Sequence, residues 1–320
     1  MKAAIYTKYG SPEIIQIVET KKPAPQFNEI LVNIEASSVT RADTMMRQGI
    51  PRLGRLFLGV FKPKNTALGT GFSGIVEAVG SDVKKFSIGD AVFGEKLFSN
   101  GSNADYLCIS EDMIIELKPD AISHTQAAPV CDGFLTSYNF LKDIANIQQE
   151  HHILINGASG SLGSAAVQLA KLMGAKVTGI CNAKNIDFVK TLGADDVIDY
   201  TKVNLNELSC KYDVIYDAVG KLSYQTAKKI ISSDGIFMTP VLSIQILWQM
   251  LWNSKQVKFA ATGMKKTKDL KQLFKDLVYF FGQNKLHTTI DRTYGLSDIA
   301  KAHQYLETGR KVGNVVIINL

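Results

Sequence analysis

Between a run of apolar residues, His151-His152-Ile153-Leu154-Ile155-Asn156, and a helical stretch from Ala165 to Met173 stands the turn Ala158-Ser159-Gly160-Ser161-Leu162-Gly163. It has the form A-x-G-x-x-G. In such a turn Gly160 lets the backbone approach a pyrophosphate without a clashing Cβ. Gly163 lets the helix pack closely on the sheet, and the amides at the helix start point at the anion. Placed between a strand and a helix, the pattern predicts a dinucleotide cradle; a bare glycine pattern also occurs in ordinary α/β turns. The residues after the next strand report on which dinucleotide. Enzymes that prefer NAD place Asp or Glu there, to accept from the ribose 2′-OH. Here Ala175-Lys176-Val177-Thr178-Gly179-Ile180 runs into Cys181-Asn182-Ala183-Lys184, with no acid before Asp187. No carboxylate repels a 2′-phosphate, and Lys184 offers it a cation. NADPH is the expected cofactor; the plain alternative for Lys184 is a solvated lysine.

Other chemistry is poorly supported. The four cysteines (Cys108, Cys131, Cys181 and Cys210) lie far apart, with no CxxC and no Cys/His metal spacing. This disfavours a disulfide scaffold and a structural zinc, and no metal is expected. In 320 residues, 36 Lys and Arg stand against 30 Asp and Glu. That mild, dispersed excess does not argue for nucleic acid as a partner but leaves phosphate-bearing ligands open. The start, Met1-Lys2-Ala3-Ala4-Ile5-Tyr6, has no apolar signal core, which points to a cytoplasmic protein. From Gly235 to Ser254 no residue is charged. Pro240, Gln245, Gln249 and Asn253 interrupt that stretch, so it reads as a buried strand and an apolar helix rather than a transmembrane span.

These residues need elements to position them. The first 120 residues are β-rich: Glu29 to Glu35 and Ile75 to Val79 alternate with strand period, and closely spaced glycines from Gly69 to Gly101 suggest a small barrel or sandwich. After about residue 122, strands and helices alternate as in a doubly wound parallel sheet. Further strands are expected at Asp196–Asp199, Tyr212–Asp217, Gly235–Met238 and Val257–Ala260. Two amphipathic helices (Lys268 to Phe281 and Leu296 to Thr308) and a last strand, Asn314 to Asn319, close the chain. The expected boundaries are 1–122, 123–262 and 263–320, the last part returning to the first domain.

Taken in order, Met1-Lys2-Ala3, Val39-Thr40-Arg41-Ala42-Asp43, Gly69-Thr70-Gly71-Phe72-Ser73-Gly74, Thr136-Ser137-Tyr138, the Ala158 to Gly163 turn, Leu192 to Tyr200, Asp217-Ala218-Val219-Gly220 and Gly309 to Val316 carry a resemblance that runs essentially end to end. The chain resembles the medium-chain dehydrogenase/reductases, in their zinc-independent quinone oxidoreductase branch. The resemblance implies a GroES-like β-barrel catalytic domain plus a Rossmann domain, and a fold of the α/β class. It also implies hydride transfer from NADPH to an apolar acceptor, a quinone or an α,β-unsaturated carbonyl, whose incoming charge spreads onto a distant oxygen. Zinc enzymes of the superfamily carry Cys near Thr40 and a His-Glu pair at Thr70-Gly71, and none of those ligands is present. By position, Thr136 and Asn314 would stand at the nicotinamide, and Ser159, Gly160, Ser161, Leu162 and Gly163 at the pyrophosphate. Asn182, Lys184 and Tyr200 would surround the 2′-phosphate, and Val219 the ribose. Asp43 and Tyr138 are candidates for proton donation or substrate orientation. Their alternatives are a turn-closing hydrogen bond for Asp43 and plain packing for Tyr138. Many relatives have Asn where this chain has Thr40. A homodimer is expected from the family, and an NADPH-binding sensor, structural or nucleic-acid-associated protein with little turnover is the rival to an enzyme.

Two apolar segments remain. Ile50 to Lys64 is both greasy and basic, and Val241 to Trp252 carries Trp248 and Trp252 four apart. Readings open for them are a wall or lid for a bulky acceptor, peripheral contact of the first with a membrane, and core or dimer interface.

Overall fold

A computed structural model of the chain describes residues 1–96, 101–261 and 264–319. The side chains of Leu53 and Phe57 lie outside the described residues, as does the expected domain boundary at 262/263. The chain divides into two compact units, one of Met1–Asp132 with Lys266–Leu320, the other Gly133–Lys265.

The first unit begins with strands β1 (Lys2–Ile5), β2 (Gln16–Glu19) and β3 (Glu29–Val39), then helices α1 (Arg41–Gln48) and α2 (Arg55–Leu58). Strands β4 (Gly71–Val79), β5 (Ala91–Glu95), β6 (Tyr106–Ser110) and β7 (Ile114–Leu117) follow, with the short helix α3 (His124–Ala127). In the second unit, α4 (Thr136–Tyr138), β8 (His152–Asn156), α5 (Ser161–Leu172), β9 (Lys176–Cys181), α6 (Ile186–Thr191) and β10 (Asp196–Asp199) lead to β11 (Tyr212–Asp217), α7 (Tyr224–Ile230), β12 (Ile231–Thr239), α8 (Ile244–Trp252) and β13 (Val257–Phe259). The chain returns to the first unit through α9 (Thr267–Gly282), β14 (Ile290–Gly295), α10 (Ile299–Glu307) and β15 (Asn314–Ile318).

In the first unit a seven-stranded sheet runs β14-β15-β3-β4-β5-β7, with β6 also paired to β3. Only β14 and β15 run parallel. β3 is long because it serves three neighbours, β15, β4 and β6. Its Ile30, Val32 and Ile34 pack with Phe72, Val92 and Ile109, while α10 buries Ile299, Ala302 and Leu306 against Ala4, Tyr6 and Val315. α3 packs on β3, β4 and β5, which places His124–Ala127 in the first unit, beyond the expected boundary at residue 122.

The second unit holds a six-stranded parallel sheet, β10-β9-β8-β11-β12-β13. Ile153, Leu154 and Ile155 of β8 are all fully buried, as a strand covered on both faces must be. The order doubles back at β8, whose two neighbours are β9 and β11, and ligands of such sheets bind outside the strands' carboxyl ends at that switch point. Periodicity did not foretell one local feature. Cys131–Leu135 and Asn139–Ile144, flanking α4, are wound as π-helix, a widened turn often found at functional sites.

Candidate functional site

The carboxyl ends of β8, β9, β10 and β11 gather most of the sequence-derived candidates. After β8 comes the glycine turn. A Cβ on Gly163 would stand 2.1 Å from the Gly157 carbonyl oxygen, so α5 can start this close to the strand only with glycine there. A Cβ on Gly160 would meet nothing nearer than the Gly157 oxygen at 3.5 Å; the room above it is open. Gly160 is also the N-cap of α5 and brings no side chain to cap it, leaving the helix's first turn suited to an outside anion. Ser137 Oγ–H donates to the Leu162 carbonyl (2.9 Å) and ties α4, with Thr136, to this turn. Asn185 Nδ2 donates to Ser159 Oγ (3.0 Å), linking the turn to the segment after β9.

In that segment the Lys184 amide donates to Asn182 Oδ1 (2.8 Å) and the Lys184 side chain is exposed. Register sets Asp199 of β10 beside Cys181 of β9, and the Tyr200 amide donates to the Cys181 carbonyl (3.2 Å). Asn182, Lys184 and Tyr200 therefore stand together after two adjacent strands. Asp199 stands there as well, and the Thr201 amide and hydroxyl hold its carboxyl below the usual range. After β11, Asp217 accepts from the amides of Val219, Gly220 and Leu222 and from Asn156 Nδ2. That network shapes the loop carrying Val219. Burial pushes the Asp217 carboxyl up, against those hydrogen bonds. Sequence reasoning gave Asp217 and Asn185 no role. For Asp217 the available signal was an acid closing an apolar strand just before Ala-Val-Gly. Tyr138 is buried, with the Lys142 ammonium 5.1 Å from its ring centre.

The first unit holds Asp43 and Asn314. Thr40 is the N-cap of α1, and Asp43 is its third residue in a capping box. The Asp43 amide donates to Thr40 Oγ1 (3.1 Å), while the Thr40 amide (2.7 Å) and hydroxyl (2.8 Å) donate to Asp43 Oδ2. Asp43 is wholly buried, and burial raises its carboxyl to about 6 despite those bonds. Asn314 opens β15, donating from its amide and Nδ2 to the Thr289 carbonyl (2.9 and 3.0 Å). Glu95, at the end of β5, was not anticipated. Burial lifts its carboxyl to about 8, with Asp132 and Asp43 adding repulsion. Asp43 Oδ1, Glu95 Oε2, Ser38 Oγ and Ser102 Oγ are buried without a hydrogen-bond partner. They border Gly69-Thr70-Gly71: a Cβ on Gly69 would lie 2.5 Å from Ser102 Oγ, one on Gly71 2.6 Å from Ser38 Oγ, and Glu95 pairs with Gly71.

A parallel sheet with a phosphate-type turn after its central strand, together with an antiparallel unit built from both ends of the chain, defines a dehydrogenase-type protein. Residues 26–120 match the family described as alcohol dehydrogenase GroES-like domain, and residues 192–317 the one described as zinc-binding dehydrogenase. The chain is 32% identical to a 2-methylene-furan-3-one reductase of Solanum lycopersicum, over 99% of this chain and 79% of that protein. It is 30% identical to a chloroplastic quinone-oxidoreductase homolog of Spinacia oleracea, over 99% of this chain and 98% of that one. Among solved structures, the Escherichia coli quinone oxidoreductase complexed with NADPH is 27% identical and superposes with a TM-score of 0.86, covering 99% of this chain and all of that one (100%). The chain belongs to the medium-chain dehydrogenase/reductase superfamily, in its quinone oxidoreductase-like branch, and its two domains are the GroES-like and Rossmann-like folds expected from the sequence.

The zinc in one matched family's description does not fit the residues present. Zinc needs three or four N, S or O ligands. Thr40 is committed to its helix cap, Gly71 has no side chain, and Thr70 contributes only a hydroxyl. Among the described residues no group of three or more His, Cys, Asp or Glu is placed to hold a metal.

Proposed function

We propose that the protein reduces a quinone or an α,β-unsaturated carbonyl at the expense of NADPH. The observation that carries this reading is the pairing of an open cradle over Gly160 with the residues that follow β9. Those residues hold no carboxylate before Asp187 and set Asn182 and exposed Lys184 beside Tyr200, while the neighbouring Asp199 accepts from the Thr201 amide and hydroxyl. In this reading Ser159 to Gly163 hold the pyrophosphate through backbone amides at the start of α5. Asn182, Lys184 and Tyr200 hold the 2′-phosphate, Val219 flanks the ribose, and Thr136 orients the nicotinamide. Bound there, the cofactor supplies a hydride. The rest of the work is orientation of the acceptor and exclusion of water.

Asp43 acts through position: it fixes Thr40 and the start of α1. Tyr138 serves as packing beneath Lys142. The names of relatives support the acceptor class, one a furanone reductase and another a quinone-oxidoreductase homolog. An NADPH-dependent alkenal/one oxidoreductase of Arabidopsis thaliana, 30% identical, supports both cofactor and acceptor. We also read the chain as a homodimer that pairs through the open edge of β13 and the apolar face of α8, where Leu251 and Trp252 are exposed.

Two measurements test the reading. Titration by nicotinamide fluorescence should give NADPH at least tenfold tighter binding than NADH, and Asn182→Asp with Lys184→Ala should abolish the difference by weakening NADPH alone. Stopped-flow oxidation of NADPH should then be seen with quinones or enones. Tight NADPH binding without oxidation by any acceptor would replace the enzyme with a sensor or structural protein.

A further inference from the structure

We propose that the segment Ile50–Lys64 is a docking site for an anionic lipid surface. It lies wholly in the first unit and takes no part in the cofactor reading above. From Thr44 to Val76, thirty-three residues, the sequence contains no Asp or Glu. Within that span Arg52, Lys62 and Lys64 are exposed. So are large apolar side chains: Ile50 at 49%, Leu56 at 64%, Val60 at 52% and Phe61 at 93%. An exposed apolar segment interspersed with exposed cations and free of carboxylates is complementary to lipid headgroup phosphates above acyl chains. It is a poor match for a basic or neutral protein face.

The tip is braced. The Tyr9 hydroxyl donates to the Gly59 carbonyl (2.6 Å), and the Arg55 guanidinium stacks on the Tyr9 ring at 4.4 Å. Arg55 also donates to the carbonyls of Gly49 (3.0 Å) and Gln48 (3.1 Å). The Lys64 amide donates back to Leu58 (2.8 Å), closing the loop on which Val60 and Phe61 project. Gly59, at φ +118°, sits so close to the returning strand of this loop that a Cβ would fall 2.0 Å from the Lys62 carbonyl oxygen. These bonds hold the phenyl ring out in water rather than letting it fold back onto the unit. Glu307, which reaches the end of α1 just before the segment, is engaged by Arg47 and Gln48.

Sedimentation with phosphatidylcholine vesicles, with and without phosphatidylserine, tests the proposal without any acceptor or nucleotide, so its outcome is independent of the enzymatic reading. The full chain should sediment with the phosphatidylserine vesicles and stay in solution with the neutral ones, and high salt should release it. Each exposed cation is worth about fivefold in partitioning, so Arg52→Glu with Lys62→Glu and Lys64→Glu should lower binding at least tenfold. Val60→Ser with Phe61→Ser should do the same. Both variants should keep the wild-type circular dichroism and melting temperature, because every changed side chain is exposed. Failure of the wild type to sediment with anionic vesicles would overturn the proposal, as would equal sedimentation of wild type and variants. If the wild type ignores vesicles and the Phe61 variant changes only the sedimentation coefficient, the occupant is a second copy of the chain instead.

Discussion

At Gly160 and Gly163 the same residue type answers two different demands, and the two can be separated. An alanine at 163 drives a Cβ to within 2.1 Å of a backbone oxygen, so Gly163→Ala should lower stability by ~2 kcal/mol, read from chemical denaturation. An alanine at 160 meets only ordinary contact at 3.5 Å. Gly160→Ala should melt close to wild type yet bind NADPH at least tenfold more weakly, because its methyl occupies the space the pyrophosphate needs. Glu95 gives a prediction of another kind. Its carboxyl has an ordinary value of 4.5 in the unfolded chain and is raised to about 8 by burial in the fold. Between those two pH values the folded state keeps a proton that the unfolded state has released. Stability therefore falls as pH rises through that window, by a few kcal/mol as an order of magnitude. Denaturation midpoints of Glu95→Gln should lose most of that slope; an unchanged slope would assign it to other groups.

Among the elements, α1 shows a candidate acid built into a helix cap, the turn-closing alternative the sequence offered for it. The spacing Thr40-x-x-Asp43 is that of a capping box, and two Thr40 groups donate to the carboxylate. At its other end α1 is held to α10 by Arg47, wholly buried, which pairs with Glu307 and donates to the Gly10 carbonyl. Burial lowers the Arg47 pKa, and the Glu307 carboxylate opposes that. Removing the acid leaves a buried guanidinium without its counter-charge, so Glu307→Ala should lower stability by ~3 kcal/mol in urea denaturation. Methionine at 307 should do no better, since the loss comes from the missing charge and not from volume. The apolar stripe of α8 belongs at this scale too. Ile246 packs into the unit's core with Leu154 and Phe237, whereas Ile244, Trp248, Leu251 and Trp252 face water. A helical run this apolar is ordinarily core; here, among the described residues, Ile246 and the partly buried Met250 are the ones that pack on the second unit's core.

For the whole molecule the consequence is assembly. If the α8 face and the β13 edge meet a second copy, Leu251→Asp with Trp252→Asp should shift the sedimentation coefficient from dimer to monomer while NADPH affinity is kept. An unaltered coefficient would place the contact elsewhere. No helix among the described residues is long and apolar enough to cross a membrane.

The turn from Ala158 to Gly163, the lack of an acid among the residues following β9 and the strands of the parallel sheet after residue 150 were legible in the sequence, whereas α7 was not among the expected elements. Each is a local pattern: a strand, its turn and its helix are neighbours in the chain, and their periodicity reports burial directly. The uncharged run from Gly235 to Ser254 likewise separated cleanly into a strand end and a helix. The sequence offered a turn-closing hydrogen bond for Asp43 only as one of two readings, and could not show that Glu95 pairs with Gly71 beside Ser38. It also could not show that Asp217 gathers three amides, or that Phe61 is held exposed by Tyr9 from fifty residues away. Those facts arise where β-pairing and packing bring distant residues together, and burial there sets the carboxyl pKa values. The tertiary structure decides them because desolvation and long-range hydrogen bonds depend on what surrounds a residue in space, which its neighbours in the chain do not specify.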